Sequence, residues 1–393
     1  MEIHCETSDL IVFSHLRWDF VFQRPQHLMS RFAVFRRVYF FEEPIFDKTE
    51  TPRLYLRESK EDVQVVVPYL PANTSLDVKD IILARLINEL LEDENIENYN
   101  LWYYTPMALP FSRHLNPQAV LYDCMDDLSK FKNAPKDLLA LEKELLTKAH
   151  LVFTGGHSLF ESKRHLHHNI HPFPSSIDYK HFALARQKTE DPADQKNIPH
   201  PRLGFFGVID ERMDLKLLAQ LAEARPDWSI VLLGPVVKID PASLPRHPNI
   251  HYLGKKDYQQ LPHYLAGWDC ALMPFALNES TEFISPTKTP EYLAAGKPVI
   301  STSIKDVVSP YGQQNLVSIA DTAEDFVAFA ERAMSHPRRH EWLQKVDAFL
   351  SSTSWDHTWM KMAELERRLR RSGDQHYRHE VVPQASLLVR SSQ

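Results

Sequence analysis

The sequence predicts an α/β protein built from two Rossmann-like, doubly wound domains that face a common cleft. Three observations support this. The chain has 393 residues, which is long for a single core. Short apolar runs alternate with helical patterns, as in parallel sheets covered on both faces. A polar segment near the middle separates two such series.

The composition is that of a globular protein and excludes several classes of function. Apolar residues make up 43% of the chain and charged residues 25%. The 45 Lys and Arg against 52 Asp and Glu give a net charge of −7, so we expect no nucleic-acid partner. Cys5, Cys124 and Cys270 lie far apart, which favours unpaired thiols in a reducing compartment and gives no zinc spacing.

The first domain is predicted to span residues 1–185. Its apolar runs are short, rich in β-branched and aromatic residues, and continuous rather than alternating, which is typical of buried parallel strands. The predicted strands are Leu10 to Phe13, Val38 to Phe41, Val63 to Val67, Leu101 to Tyr104, Ala119 to Tyr122 and Leu151 to Thr154.

A linker is predicted at residues 186–200, where the chain is polar, carries mixed charges and has no periodicity. The same alternation then restarts and predicts a second domain at 201–354. Its predicted strands are Leu203 to Phe206, Ile230 to Leu233, Ile250 to Leu253, Cys270 to Met273, Val299 to Ser301 and Leu316 to Ile319.

A final helix is predicted at 355–371, and the polar tail 372–393 is expected to be disordered. One apolar stripe of this helix should pack against protein; it consists of Trp355, Trp359, Met362, Leu365 and Leu369. The arginines at 367, 368, 370 and 371 allow two interpretations, a peripheral contact with anionic lipid or ordinary cation enrichment at a helix end.

No run of apolar residues is long enough for a transmembrane helix, and the acidic N-terminus does not resemble a signal peptide. We therefore expect a cytoplasmic protein, with peripheral contact at the inner face of the membrane as an option.

The most informative stretch runs from Ser285 to Ile300. It predicts a loop, a helix that opens at Ser-Pro or Thr-Pro, a glycine C-cap and a buried strand. A helix N-terminus offers free N–H groups to a diphosphate, and Ser285, Thr287 and Lys288 lie there. Glu291, about one turn in, could accept hydrogen bonds from the vicinal hydroxyls of a ribose. The less favoured alternative is a solvated residue stabilised by the helix dipole.

This stretch resembles the donor motif of GT-B glycosyltransferases in the large retaining family 4, the glycosyl transferases of group 1. That motif holds two glutamates ahead of an Ala-Gly-x-Pro-Val strand entry. Glu291 matches the second glutamate, whereas Phe283 stands at the place of the first, with Glu279 or Glu282 as candidate substitutes. The resemblance implies the GT-B fold, with a C-terminal helix that crosses back to the first domain.

Weaker likenesses extend over most of the chain. Residues 203–214 resemble the first strand and loop of the family's second domain, where two cations hold the diphosphate. Arg212 fits the second of these places and Val208 stands at the first, so that Lys288 could substitute. Gly207, Gly234 and Gly254 fall in loops that resemble those around the nucleotide, and residues 173–178 resemble the entry to the hinge.

In the first domain, residues 14–28 follow the first strand and are similar to a subgroup of bacterial envelope-polysaccharide glycosyltransferases. His15 and Asp19 are its candidate ligand contacts, because polar residues at strand ends favour binding. Asp126 lies just past another strand, where many family members carry a His-Asp pair. It could also cap the following turn.

Other interpretations stay open for two features. Arg212 could instead be an ion-pair partner of Asp210 or Asp214. The histidines at 165, 167, 168 and 171 lack an acidic or cysteine partner and indicate a solvated helix end rather than a metal site.

The resemblance implies transfer of a sugar from a nucleotide-sugar donor to a carbohydrate or lipid-linked acceptor of envelope type, with retention at the anomeric carbon. Asp126, Arg212 and Lys288 are the candidate catalytic residues. Fixed cations and helix N–H groups can stabilise the departing diphosphate, so we expect neither a metal nor a cofactor besides the donor. The alternatives are a GT-B-like sugar-nucleotide epimerase and a non-catalytic nucleotide-sugar-binding partner of an envelope-assembly complex.

Overall fold

The computed structural model describes residues 8–187, 189–335 and 339–380, with side chains described as far as residue 369. It holds two α/β domains, each built around its own sheet. In both sheets the central strands are continuous apolar runs that are buried along their length, because helices cover both faces.

The first sheet has nine strands in the order β3-β5-β2-β1-β6-β7-β8-β9, with β4 paired antiparallel to β5 and all other pairs parallel. Its strands are β1 Asp9–Phe13, β2 Val38–Phe41, β3 Ile45–Asp47, β4 Arg53–Glu58, β5 Gln64–Pro71, β6 Tyr99–Tyr103, β7 Ala119–Cys124, β8 Leu151–Thr154 and β9 Ile170–Pro172.

The second sheet has six parallel strands in the order β12-β11-β10-β13-β14-β15, the strand order of a dinucleotide-binding domain. Its strands are β10 Arg202–Phe206, β11 Ser229–Leu233, β12 Ile250–Gly254, β13 Cys270–Met273, β14 Val299–Ser301 and β15 Ser318–Ile319. Every apolar run that the sequence assigned to a strand overlaps a strand of the structure, and the doubly wound two-domain prediction is confirmed.

Helices connect the strands of both sheets. They are α1 Arg24–Ala33, α2 Leu76–Asp93, α3 Leu109–Ser112, α4 Leu138–Lys148, α5 His157–Lys163, α6 Tyr179–Ala183, α7 Leu215–Ala224, α8 Leu261–Ala266, α9 Lys288–Ala294, α10 Lys305–Val307, α11 Ala323–Met334, α12 Arg339–Leu350 and α13 Trp355–Glu380. Pro25 at the start of α1 is favourable because the first helical N–H has no partner within the helix.

The chain passes from the first domain to the second earlier than the sequence predicts. Phe173 belongs to the core of the first domain, whereas Ile177 and Phe182 are buried in the core of the second. Residues 177–185, assigned to the first domain on sequence, therefore pack with the second. The periodicity did not show this because α6 is short and its apolar residues suit either core.

The linker predicted at 186–200 is packed against the second domain. Gln195 is fully buried; its Nε2 donates to the carbonyl oxygen of Tyr264 at 3.0 Å, and its Oε1 accepts from Nε1 of Trp268 at 2.9 Å. Arg202 reaches back to Asp191 at 2.7 Å. Side-chain hydrogen bonds and an ion pair, rather than a helix or a strand, thus hold this polar segment against the second domain.

The last helix, α13, packs against the first domain. Trp355 and Met362 are buried in that domain's core, with Trp359, Leu365 and Leu369 packed against it. The apolar stripe predicted from sequence therefore faces protein. The helix continues past its predicted end at 371 to Glu380, so residues 372–380 are helical rather than part of a tail. The rest of the predicted tail, 381–393, lies outside the described residues.

Candidate functional site

The carboxyl ends of the two sheets bound the candidate site. The strand order reverses between β1 and β6 in the first sheet and between β10 and β13 in the second. Open α/β sheets bind ligands at such points. A cavity of about 100 Å³ lies between the domains there, lined by Gln23, Arg24, Met125, Asp126, Gly155, Ser175, Val208, Arg212, Phe275, Ile284, Ser285, Pro286, Thr287 and Lys288.

This cavity brings together five of the residues singled out on sequence. Asp126 comes from the loop after β7, Arg212 from the loop after β10, and Ser285, Thr287 and Lys288 from the start of α9. The side chains lie far apart in the sequence and on both domains. A ligand in this cavity would therefore be held by the two domains together.

Arg212 both lines the cavity and forms an ion pair, which the sequence had left as alternatives. Its Nη2 donates to Asp210 at 2.7 Å and its Nε lies 3.0 Å from the same carboxylate. The ion-pair interpretation thus holds for Asp210, while Asp214 instead accepts from the N–H of Leu217 at the start of α7. Since Arg212 also lines the cavity, the ion pair fixes a cation at its wall.

Arg24 is a second cation of this wall, and no sequence motif pointed to it. Its Nε and Nη2 donate to the carboxylate of Asp123 at 2.9 and 2.8 Å, and its Nη1 donates to the carbonyl oxygen of Phe173 at 2.7 Å. The pair is buried, so removing either member would leave an uncompensated charge. It ties α1 to the end of β7, beside Asp126.

Lys288, at the start of α9, lies over the end of β10. Gly207 there has a φ of +134°, and a Cβ added to it would lie 2.2 Å from Cε of Lys288. A side chain at position 207 would thus displace the lysine. Burial, and next the charge of Arg212, lower the pKa of Lys288 to about 8.

Asp126 lies among these cations. Burial raises the pKa of its carboxyl group to about 6, while Arg212 and Arg24 act to lower it. The carboxylate therefore changes its charge close to neutral pH. This suits a group that accepts hydrogen bonds from a sugar or takes part in proton transfer.

Glu291 lies one turn into α9 and is 5% exposed. The alternative of a solvated residue therefore does not hold. Its Oε2 is inaccessible to solvent and has no hydrogen-bond partner among the described residues. Burial raises the pKa of Glu291 to about 8, with Lys288 acting in the opposite direction. A buried acceptor without a partner is costly in the free protein and is the expected feature of a ligand site.

A larger cleft of about 770 Å³ adjoins this region between the domains. Its wall includes Gly207, Gly234 and Tyr258 of the second domain and the loop 18–22 of the first. Asp19 lines it and forms an ion pair with Arg57, and the carbonyl oxygen of Asp19 accepts from Nζ of Lys255 at 2.9 Å. The cleft has the volume of a drug-sized ligand site.

Gly234 and Gly254 differ in their positions. Gly234 has a φ of +146°, and an added Cβ would lie 1.8 Å from the carbonyl oxygen of Gly207, so close backbone approach requires glycine there. Gly254 has a φ of +71°, is exposed and does not line either cavity, and an added Cβ would contact nothing within 4 Å. It ends β12 in a turn and precedes Lys255, which does line the cleft, and its role as a ligand contact stays a prediction.

His15 is half-buried just after β1 and lines neither of these two cavities. Burial, and next the charge of Lys238, lower the pKa of His15 to about 4, so its ring is neutral. Its Nδ1 is inaccessible to solvent and unpaired within the described part of the chain. Contact of His15 with the ligand stays a prediction.

Phe283 stands where the family motif has its first glutamate, and its side chain is used for packing. Its ring packs against the core of the first domain, and Nζ of Lys305 lies 4.8 Å from the ring centroid. Of the candidate substitutes, Glu279 is exposed and Glu282 pairs with Lys305 at 3.0 Å. Neither lines the small cavity, so the structure gives no support to either as a replacement glutamate.

Local sequence patterns missed three residues of this region. Arg24 lies within a loop that was recognised, but its partner Asp123 is 99 positions away. Asp306 accepts hydrogen bonds at 2.9 Å from the N–H groups of His157 and Ser158, across the domain interface. Tyr258 follows the predicted strand β12 in a segment without a motif. Only the fold brings these residues together.

Among the residues that the structure describes, no group of three or more His, Cys, Asp or Glu side chains is placed to hold a metal ion. Within the same ranges, no helix is long and apolar enough to cross a membrane.

Residues 200–336 match the family described as Glycosyl transferases group 1. This range contains the end of β10, Arg212, and the whole of α9 with Lys288 and Glu291. The chain is a glycosyltransferase with the GT-B fold, and this range is its glycosyl transferase group 1 domain.

The chain is similar to a protein of Bacillus subtilis (strain 168) that bears the name "Putative teichuronic acid biosynthesis glycosyltransferase TuaH". The two are 27% identical over 276 residues, covering 64% of this chain and 68% of TuaH.

Solved structures match over nearly the whole chain. The sucrose-phosphate synthase of Thermosynechococcus elongatus aligns with a TM-score of 0.71 and 15% identity, over 93% of this chain and 100% of the other. HepE of Anabaena, solved in complex with UDP, aligns with a TM-score of 0.66 and 13% identity, over 92% and 100%. At these identities the likeness shows the shared two-domain fold.

Proposed function

We propose that this glycosyltransferase takes its sugar from a nucleoside-diphosphate sugar, with the diphosphate in the small cavity between Arg212 and Lys288 and the ribose at Glu291. The observation that carries the proposal is the unpaired, buried Oε2 of Glu291 one helical turn from a half-buried lysine. A dianionic diphosphate offsets the cations, and a ribose hydroxyl would supply the missing hydrogen bond.

In the transfer step, the bond between the anomeric carbon and the diphosphate oxygen breaks and negative charge grows on the diphosphate. Arg212 and Lys288 are positioned before the reaction and need no rearrangement to stabilise this charge, which is the arrangement that favours a transition state. Arg24 keeps the loop of Asp126 in place through Asp123. Asp126 would accept a hydrogen bond from the transferred sugar. By resemblance to family 4, we propose retention at the anomeric carbon and no metal requirement.

The similarity to TuaH supports an acceptor of the envelope-polysaccharide type, either a free carbohydrate or a lipid-linked chain. A cytoplasmic location follows from this donor chemistry as a proposal. The peripheral membrane contact remains a sequence-based prediction; of its four arginines, the structure describes the side chains of Arg367 and Arg368, both exposed.

The experiment is a thermal-shift screen of UDP, GDP, ADP and dTDP sugars, followed by turnover of the donor that binds. Ligand at ~100 times its dissociation constant stabilises the folded state by about 2.7 kcal/mol. Lys288→Ala and Arg212→Ala should lower kcat more than they raise the Kd of the donor, because the charge they meet develops in the transition state.

Lys216→Ala is the matched control, since Lys216 is exposed on α7 of the same domain. Its kinetics should equal those of the wild type. Tight binding of a donor without turnover on any polysaccharide acceptor would refute the proposed role, as would formation of an epimerised donor in the absence of acceptor.

A further inference from the structure

Tyr258 lies where the two domains meet, in a short 3₁₀ helix at Tyr258–Gln260 that follows β12. Its ring is stacked on His181 of the second domain, with centroids 4.4 Å apart and an interplanar angle of 13°. Phe22 and His27 of the first domain contact it at 4.8 and 5.5 Å. The ring is thus clamped from both domains and has one fixed direction.

The hydroxyl group of Tyr258 is unusual for a clamped tyrosine. It is inaccessible to solvent and has no hydrogen-bond partner among the described residues, although its ring lines the large cleft. A buried tyrosine hydroxyl normally finds a partner, because leaving it unpaired costs free energy. The contacts that hold the ring do not satisfy this hydroxyl.

Glu291 shows the same feature at its Oε2. A continuous set of packed rings joins the two positions within the second domain: the ring of Phe182 lies 5.6 Å from that of Tyr258 and 6.0 Å from that of Phe206, and Phe206 lies 4.9 Å from Tyr292, the neighbour of Glu291. Burial, and next the charge of Glu291, raise the pKa of the Tyr258 hydroxyl, in keeping with this arrangement. The ionised carboxylate of Glu291 can only accept hydrogen bonds, whereas the hydroxyl of Tyr258 can both donate and accept them. Such a pair fits two neighbouring hydroxyl groups of a single ligand.

We propose that Tyr258 binds the ribose of the donor together with Glu291, each side chain contacting one of the vicinal 2′ and 3′ hydroxyls. This rests on the proposed function, which places the ribose at Glu291. Tyr258 then selects ribonucleotides over deoxyribonucleotides. Because its ring is held by Phe22 and His27, the same residue makes ribose binding depend on the closeness of the two domains.

The test compares wild type with Tyr258→Phe, which keeps the ring and its stacking and removes only the hydroxyl. Calorimetry gives the Kd of UDP, 2′-deoxy-UDP and 3′-deoxy-UDP, or of the GDP series where the wild type prefers guanine. Tyr258→Phe should weaken binding of the ribonucleotide roughly two- to tenfold, the range for one net hydrogen bond. For the deoxy analogue that lacks the partner hydroxyl, wild type and variant should bind equally.

Tyr252→Phe is the control, because that hydroxyl donates to the carbonyl oxygen of Pro245 within the second domain. It should leave every Kd and every ratio between nucleotides unchanged. A ribose-to-deoxyribose ratio in Tyr258→Phe equal to that of wild type overturns the inference while leaving the donor site intact. If the wild type binds neither UDP nor GDP, the proposed donor site fails, and the role of Tyr258 fails with it.

Discussion

A buried ion pair supports the docking of α13 on the first domain and allows a direct test. Nη1 and Nη2 of Arg36 donate to the two carboxylate oxygens of Glu366 at 2.7 and 2.8 Å, and Nδ2 of Asn100 donates to the same carboxylate. The Arg36 and Glu366 side chains are 5% and 4% exposed. The perturbation is Glu366→Ala.

Removing one member of a buried pair leaves the other charge buried and uncompensated, which costs about 3–5 kcal/mol. That is a large share of the roughly 5–15 kcal/mol that stabilises a domain. Replacing both members with apolar residues, Arg36→Met with Glu366→Leu, removes the charge and should restore most of the stability. The cost therefore comes from the orphaned guanidinium.

Native-state hydrogen exchange of β1 and β6 reads the stability of the first domain without assuming that both domains unfold together. Glu364→Ala is the control on the same helix, since Glu364 is exposed and pairs with Arg368 four residues on. It should leave exchange unchanged. A loss below about 1 kcal/mol for Glu366→Ala would show that α13 is not docked in solution and refute the cost assigned to a buried orphan charge.

Three further predictions concern the cleft. Turnover should rise with pH through about 6 as Asp126 ionises, and Asp126→Asn should lower turnover and abolish this rise. If the rise persists in the variant, the ionisation of another group causes it. Asp306→Ala removes the hydrogen-bond acceptor for the N–H groups of His157 and Ser158, so small-angle scattering should show a larger radius of gyration. An unchanged radius would mean that this contact does not hold the two domains together. EDTA should leave activity intact because Arg212 and Lys288 stabilise the leaving group, and activity restored by Mg²⁺ or Mn²⁺ would contradict this.

The central strands could be predicted from sequence because burial on both faces leaves a continuous apolar run. The strand β2, Val38–Phe41, is buried at every position, and the sequence assigned the same bounds. The missed strands lack such a run. In β4 most residues are exposed or half-buried at the edge of the sheet, and β3 and β9 have three residues each. Their pairing depends on the neighbouring strand rather than on their own composition.

In the candidate site, too, residues that form a local sequence pattern could be predicted, and residues defined by distant partners could not. The segment from Ser285 to Glu291 was recognisable because a helix start, a lysine and a glutamate follow one another in a short range. Its surroundings were not, because Asp123 and Tyr258 acquire their meaning from partners distant in sequence. Gly254 shows a second limit: its positive φ already accounts for a glycine at the end of β12, so the sequence could not separate a turn requirement from a ligand contact.

The pKa of Lys288 leads to a prediction about proton uptake when the donor binds. Burial, and next the charge of Arg212, lower this pKa to about 8, so the free protein loses the lysine charge in mildly alkaline solution. A diphosphate favours the charged form, so binding of the donor found in the thermal-shift screen should take up protons at about pH 8. This uptake is seen as a dependence of the calorimetric heat on the ionisation enthalpy of the buffer.

The sign of the pH dependence follows from the same pKa. Lys288 is charged below about pH 8, so affinity should be level there and fall above it, by up to about tenfold per pH unit if only the charged form binds. Lys288→Arg should bind with a flat profile, because a guanidinium stays charged. Glu291 titrates in the same range, so Glu291→Gln is needed to assign the proton. Proton uptake that survives in Glu291→Gln but not in Lys288→Arg belongs to the lysine, whereas the reverse result would place it on the carboxyl group.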